Sequence, residues 1–212
     1  MDAQFWHQCW QQNQLGFQLD EAHPFLRAQT AALPPATDVF VPLCGKSPDL
    51  HWLAQHYRVT GSELSEIACR DFFAEAALQP VVHEVENFQL WQSENYQLWQ
   101  GDFFALPVSA ISACQLIYDR AALIALPPAM QRQYVAKLRQ LFPSSTLLLI
   151  TLHYPPGEKQ GPPFSIDEVE LSQLFNFASL HLVGIRNLTG QGFARRKFAT
   201  SQLIEKCWLV QW

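Results

Sequence analysis

No two cysteines stand in a C-x-x-C arrangement. The five present, Cys9, Cys44, Cys69, Cys114 and Cys207, are scattered and odd in number. That pattern excludes a disulfide frame or zinc ribbon and suits reduced thiols in a reducing compartment. The seven histidines show no H-x-x-x-H spacing, so no metal is expected. Positive charge is short as well. Charged residues make up 16% of the chain and the net charge is −5, so there is no general attraction to nucleic acid, whose binding rests on phosphate neutralisation. No apolar run approaches the ~20 residues of a membrane span. The opening "MDAQFWHQCW" has no basic stretch ahead of an apolar core, so no secretory signal is expected. The expectation is a soluble, cytoplasmic monomer that handles small molecules, with no nucleic-acid or membrane partner.

The phosphate-binding glycine motifs are missing too. "FVPLCGKSPDL" (40–50) ends a strand-like run in Gly-Lys-Ser, which suggests a phosphate loop. The early glycine of G-x-x-x-x-G-K-[ST] lets backbone wrap a phosphate, and that position is held by Phe40, inside the strand. Gly45 also stands alone, so G-x-G-x-x-G fails. Read by itself, the turn fits a tight strand-to-helix connection as well as a ligand cradle.

What is present is a globular composition, with 49% of 212 residues apolar, enough for one domain with a substantial core. The pattern predicts helices at 2–13 and 23–31 and a buried strand at 39–43. A helix over 48–56, a strand over 58–64 and a helix over 65–77 with Ser65 as N-cap follow. The alternating "HEVENFQLWQSENYQLWQGD" reads as a strand and a small hairpin, where Trp91 and Trp99 are expected to pack. Then come a strand at 115–118, a helix at 128–142 and the very apolar strand 145–154. A Pro-Gly loop precedes a helix at 167–175 and strands at 180–186 and 200–210. No linker, repeat or low-complexity run divides 1–212; residues 1–35 read as a helical cover and 36–212 as a sheet core.

Alternating strands and helices from 39 to 175 argue for a parallel sheet with helices on both faces. The last two strands share a loop without helix signal, so one should run antiparallel. Such a sheet binds its ligand beyond the carboxyl ends of its strands, here 43–46, 63–65, 101–103, 119–120 and 153 onward. Glu63 closes the second strand, 18 residues after Gly45, where an acidic side chain takes ribose hydroxyls in nucleotide-binding folds. A solvated carboxylate at a helix N-terminus would also account for it. Asp102 and Phe103 fall where an adenine ring would lie. Asp119 and Arg120 follow the fourth strand, as site residues or as an ordinary ion pair. Cys44 has no histidine base nearby in sequence and reads as a buried thiol.

"FWHQCWQQNQLGF", "VPLCGKSPDLHWLA", "GSELSEIA…FFAE", "GDFFALP", "YDRAALIALPPAMQRQYV", "LLITLHY" and "GPPFSIDEVE" occur in order from about 5 to 170. Together they resemble the thiopurine S-methyltransferases, especially the bacterial branch. The resemblance implies a Rossmann-like, seven-stranded, mostly parallel sheet with an antiparallel C-terminal strand. It implies S-adenosylmethionine as cofactor and aromatic or heterocyclic thiols as acceptors, with selenium and tellurium compounds in bacterial members. It places cofactor contacts on Trp10, Leu43, Glu63 and Arg120 and around Asp102 and Phe103. Phe17 resembles the aromatic residue over the methyl group and acceptor. Arg195 and Arg196 are the candidates for an arginine that approaches the acceptor. By this resemblance "PLCGKS" is the turn beneath the methionine end of the cofactor.

Three departures stand out: Gln18-Leu19 where the family has His-Gln, and His153 and Pro155 flanking Tyr154, where substrate is expected to enter. The expected reaction needs no dedicated base, because an aromatic thiol arrives ionised. Arg120 would favour the anion, and Asp119 is a candidate base by placement alone. Two other readings stay open: a non-catalytic cofactor-binding protein, and a methyltransferase for an oxygen or nitrogen acceptor.

Overall fold

A computed structural model describes residues 3–111, 114–195 and 197–212. Its centre is five parallel strands: β1 (Asp38–Val41), β2 (Arg58–Glu63), β5 (Tyr96–Gln100), β6 (Leu116–Arg120) and β7 (Thr146–His153). The full order is β3-β4-β5-β2-β1-β6-β7-β9-β8, with β3 at Val81–Val85, β4 at Phe88–Ser93, β8 at Ser179–Asn187 and β9 at Ile204–Gln211. As expected, β9 runs antiparallel to both β7 and β8.

The sheet has nine strands, not seven. Seven is what the resemblance implies; the strand and hairpin read from the residue pattern at 81–101 are present, and β3 and β4 extend the β5 edge as an antiparallel meander. The alternation in 81–100 is the cause: it gives three short strands joined at Glu86 and Glu94, both with positive φ. β3 is almost wholly exposed. The helix–strand alternation also breaks once. Between β5 and β6 the described residues form only short 3-10 turns, Phe103–Ala105 and Val108–Ala110, around Pro107.

Period-two patterning divides the core between the sheet faces. Phe40, Ile117, Leu147 and Leu149 face one way and pack with Tyr134, Val135 and Leu138 of α5 (Pro128–Leu141) and Leu171 of α6 (Glu168–Leu174). Val39, Val41, Tyr118, Leu148 and Ile150 face the other way. There they meet Leu50 and Leu53 of α3 (Asp49–Leu53), Phe72 and Phe73 of α4 (Glu66–Glu75), and Phe25 and Leu26 of α2 (Pro24–Gln29). Burial on both faces is why β1 and β7 read as continuous apolar runs. α1 (Ala3–Gln11) and the coil after it pack instead through Trp10 and Leu15 onto Ala68.

Gly61, in the middle of β2, lets the turn after β1 lie against the sheet. A Cβ there would stand 2.7 Å from Cys44 Sγ and 2.8 Å from Leu98 Cδ2. Both neighbours are buried, so neither yields freely. Gly61→Ala should therefore destabilise the chain by about 1–3 kcal/mol through overpacking. Urea denaturation checks this, and an unchanged midpoint would show that Cys44 and Leu98 move aside without strain.

Candidate functional site

The β1–α3 turn is shaped by backbone that few residues adopt. Leu43 and Gly45 both have positive φ, 47° and 55°. The Cys44 N–H donates to Ser62 O (2.9 Å), which holds the turn against β2. At Gly45 any Cβ would lie 3.3 Å from the Trp10 ring. Glycine is thus favoured there by conformation and by the indole above it.

Glu63 completes the turn. One carboxylate oxygen accepts the Gly45 N–H at 2.8 Å and the other accepts the Ser65 N–H at 2.7 Å. Burial raises its pKa, opposed by these backbone donors. Each oxygen keeps a lone pair, so the carboxylate can still accept two hydroxyls of one diol.

Beyond the strand ends lies a cavity of about 280 Å³. Leu43, Glu63, Asp102 and Phe103 line one part, with Trp10 and Phe17 over it. Phe17 meets Trp10 and Trp6 edge-on, with ring centroids 5.8 and 5.9 Å apart. Asp102 accepts the Phe104 N–H (3.0 Å) and so caps the short turn that carries Phe103. Another part is apolar: Ile124, Leu126, Met130, Pro162, Pro163 and Phe193. Arg120 also lines the cavity. Its Nη2 donates to Phe17 O at 2.7 Å, its guanidinium lies 5.7 Å from the Phe193 ring centroid, and its Nε is buried with no hydrogen-bond partner. An unmatched buried donor on a cation marks a place for an acceptor atom.

Several expectations need correction. Asp119 does not line the cavity. Successive strand residues face opposite ways, so Arg120 meets the cavity while Asp119 enters the core. There Asp119 accepts the Tyr134 hydroxyl at 2.6 Å and the N–H groups of Ala122 and Leu123 at 3.2 Å. These bonds shape the loop after β6 and tie Asp119 to α5. Arg195 does not line the cavity either: its N–H donates to Gly16 O and its side chain pairs with Asp20, because both lie on the cover beside it. Arg196 falls outside the described residues. His153 and Pro155 are likewise absent from the lining; the loop after β7 reaches the cavity through Pro162 and Pro163. Lys46 pairs with Glu75 and Asp71.

Trp6, Pro162, Pro163 and Phe193 line the site without having been singled out, and Gln18, one of the departures from the family pattern, lines it too. Trp6 carried a signal, since it stands one helical turn before Trp10. Phe193 arrives from the loop between β8 and β9, and no local pattern announces it.

The family model for thiopurine S-methyltransferase matches residues 1–211. A thiopurine S-methyltransferase of Pseudomonas putida (strain W619) is 44% identical over 214 aligned residues, covering all of both chains. One of Pseudomonas fluorescens (strain Pf0-1) is 46% identical over 177 residues, 82% of each chain. The chain belongs to the thiopurine S-methyltransferase family. It is therefore an S-adenosylmethionine-dependent methyltransferase. The fold agrees: a SAM-dependent methyltransferase from Anabaena variabilis superposes with a TM-score of 0.70 over 99% of this chain and 94% of that one, at 15% identity. The lining of this methyltransferase fits the cofactor. Glu63 offers a buried diol acceptor, Gly45 leaves room that a Cβ would fill, and Arg120 holds an unmatched donor.

Burial lifts the Asp119 carboxyl from 3.8 to about 6, against the pull of Tyr134, Leu123 and Ala122. A pKa raised by folding favours the protonated form in the native state. The associated stability is complete below the unfolded pKa and is lost as pH rises through the folded one. Measured against Asp119→Asn, which cannot titrate, the native chain should lose up to about 3 kcal/mol between about pH 4 and about pH 6, then level off. Parallel stability curves for the two chains across that range would rule out the buried ionisation.

Proposed function

We propose that the chain transfers the methyl group of S-adenosylmethionine to the sulfur of a small aromatic or heterocyclic thiol, with selenolates as acceptors of the same class. The names of its relatives support this. One observation of the site carries it: the apolar part of the cavity, with Arg120 at its border, offers a cation and no base among the described residues. An acceptor that must lose a proton during transfer would need a base there; one that arrives ionised needs only the guanidinium. The titratable groups lining the rest are Glu63, held by two backbone donors, Cys44, whose thiol burial pushes well up, and Asp102, which caps a turn. Phenols and amines fit this lining less well.

S-Adenosylmethionine, when bound, supplies a methyl group already activated on a sulfonium. In this reading Glu63 accepts the ribose hydroxyls, Leu43 and the turn support the methionine end, and Asp102 and Phe103 border the adenine. Trp10 and Phe17 present aromatic faces to a cation and keep water from the reacting atoms. Arg120 serves both ligands. Its Nε takes an anionic oxygen or sulfur, and the Phe193 ring beside it limits hydration, so its charge acts in a low-dielectric setting. Pro162, Pro163 and Phe193 form a flat apolar slot for a planar acceptor.

The deciding assay offers labelled cofactor with an aromatic thiol, the matching phenol and the matching aniline. Only the thiol should be methylated, with a rate that follows its ionised fraction. Equal turnover of the phenol would sink the thiol assignment. Glu63→Gln should weaken cofactor binding at least about tenfold, in line with the ~1.5–3 kcal/mol of one charge-assisted hydrogen bond; calorimetry giving native affinity would remove Glu63 from the ribose. Arg120→Ala should cost an anionic thiol about 2–5 kcal/mol in kcat/KM, and a neutral acceptor less. Equal losses for both, matched by a fall in cofactor affinity, would restrict Arg120 to cofactor binding.

A further inference from the structure

Behind the turn that Glu63 holds lies a polar cluster to which the proposed chemistry gives no part. Its centre is Asp49, the first residue of α3, which is fully buried. One carboxylate oxygen accepts the His23 backbone N–H at 2.6 Å. The other accepts the Ser47 hydroxyl at 3.0 Å and the Tyr118 hydroxyl at 3.1 Å. No cationic side chain pairs with it among the described residues. A buried carboxylate without a counter-charge is a costly way to fill space and is sustained by its three donors.

Each donor belongs to a different piece of the site. His23 ends the coil that carries Phe17. Ser47 belongs to the turn that contains Leu43 and Gly45 and itself lines the cavity. Tyr118 lies on β6, two residues before Arg120. The same pieces meet again on the cavity side. Arg120 donates to Phe17 O at 2.7 Å, and Gln18 Nε2 donates to Lys46 O at 2.8 Å. Cover, turn and β6 are therefore braced twice, once by Asp49 and once inside the cavity. The His23 ring holds the same end of the cover. Its Nδ1 accepts the Phe25 N–H at 3.2 Å, so the proton sits on Nε2, which faces Glu205 Oε1 at 3.0 Å.

We infer that Asp49 is a positioning residue for methyl transfer: its three hydrogen bonds set the register of the cover, the cofactor turn and β6, and thereby place Phe17 and Arg120. The inference rests on the proposed reading of the cavity. It requires that loosening the Asp49 bonds to the cover and β6 lower kcat more than it weakens the cofactor, since Glu63 holds Gly45 and Ser65 by bonds of its own.

His23 allows one of these bonds to be removed cleanly. Its φ of −58° and ψ of 134° suit proline. His23→Ala loses the ring and keeps the N–H to Asp49, whereas His23→Pro loses both. In the full-length chain, below the melting temperature of either variant, kcat of His23→Pro should fall at least tenfold below that of His23→Ala. Their cofactor affinities, by calorimetry, should agree within about threefold, because the turn is shared. Asp49→Asn should show the same split between kcat and affinity, and it carries the test if the proline variant does not fold. Equal kcat in the two His23 variants, or native kcat in folded Asp49→Asn, would overturn the inference and make the cluster merely structural. The native chain with an aromatic thiol is the control: no turnover there would sink the thiol reading and this inference with it, whereas an active native chain with indifferent variants sinks this inference alone.

Discussion

Glu63 is the point on which the rest of the site hangs. Its carboxylate closes β2 and collects the backbone N–H groups of Gly45, from the turn after β1, and Ser65, at the start of α4. Two neighbouring parallel strands thus release their chains around one negative charge. Burial alone would neutralise that charge. Two backbone donors and the positive end of α4 oppose burial and keep an acceptor available for a ligand. Without the carboxylate, Gly45 and Ser65 would present unpaired amides to a mostly apolar cavity, and the positive φ values at Leu43 and Gly45 would lose their main support.

The polarity of the cavity follows from strand order. β2 and β5 on one side of β1 contribute carboxylates through Glu63 and Asp102, while β6, on the other side, contributes the guanidinium of Arg120. A zwitterionic, diol-bearing cofactor matches that division without any metal contribution being needed from the lining described. The apolar part of the cavity, where we place the acceptor, is supplied by connections at the far side of the sheet: the loop after β7, with its two prolines, and the loop between β8 and β9, with Phe193.

Much of this was legible in the residues. β1 and β7 announce themselves because burial on both faces demands unbroken apolar runs. Glu63 is legible because a carboxylate closing such a strand, 18 residues after a lone glycine, has few structural reasons to be there. Asp119 and Arg120 mark the limit. Placement at a strand end is local information, but which of two neighbours faces the ligand depends on the pleat, and the pleat is fixed by what α5 offers Asp119 through Tyr134. The meander at 81–100 was readable as strands, yet its attachment to the main sheet rests on pairing between β2 and β5, which no short window contains. Phe193 and Arg195 depend on contacts with residues far away in the chain and carry no periodic signal.

The buried pair between His23 and Glu205 joins residues 182 positions apart, and this sets an order of assembly. The cover precedes every strand of the sheet along the chain, and the strand that holds its ring follows all the others. Closing so long a loop early is entropically unfavourable and earns nothing until β9 has paired with β7. The five parallel strands can therefore assemble, and the cover can lie on α4 through Trp10 and Leu15 against Ala68, before the His23 ring has a partner. Only when β9 is laid against β7 does the His23 segment, already tied to Asp49 through its backbone, gain Glu205 as a partner for its ring. A chain in which β9 has not yet paired with β7 can already possess the cofactor turn while the His23 ring lacks its partner, so the pairing of β9 is the step that completes the bracing of the cover.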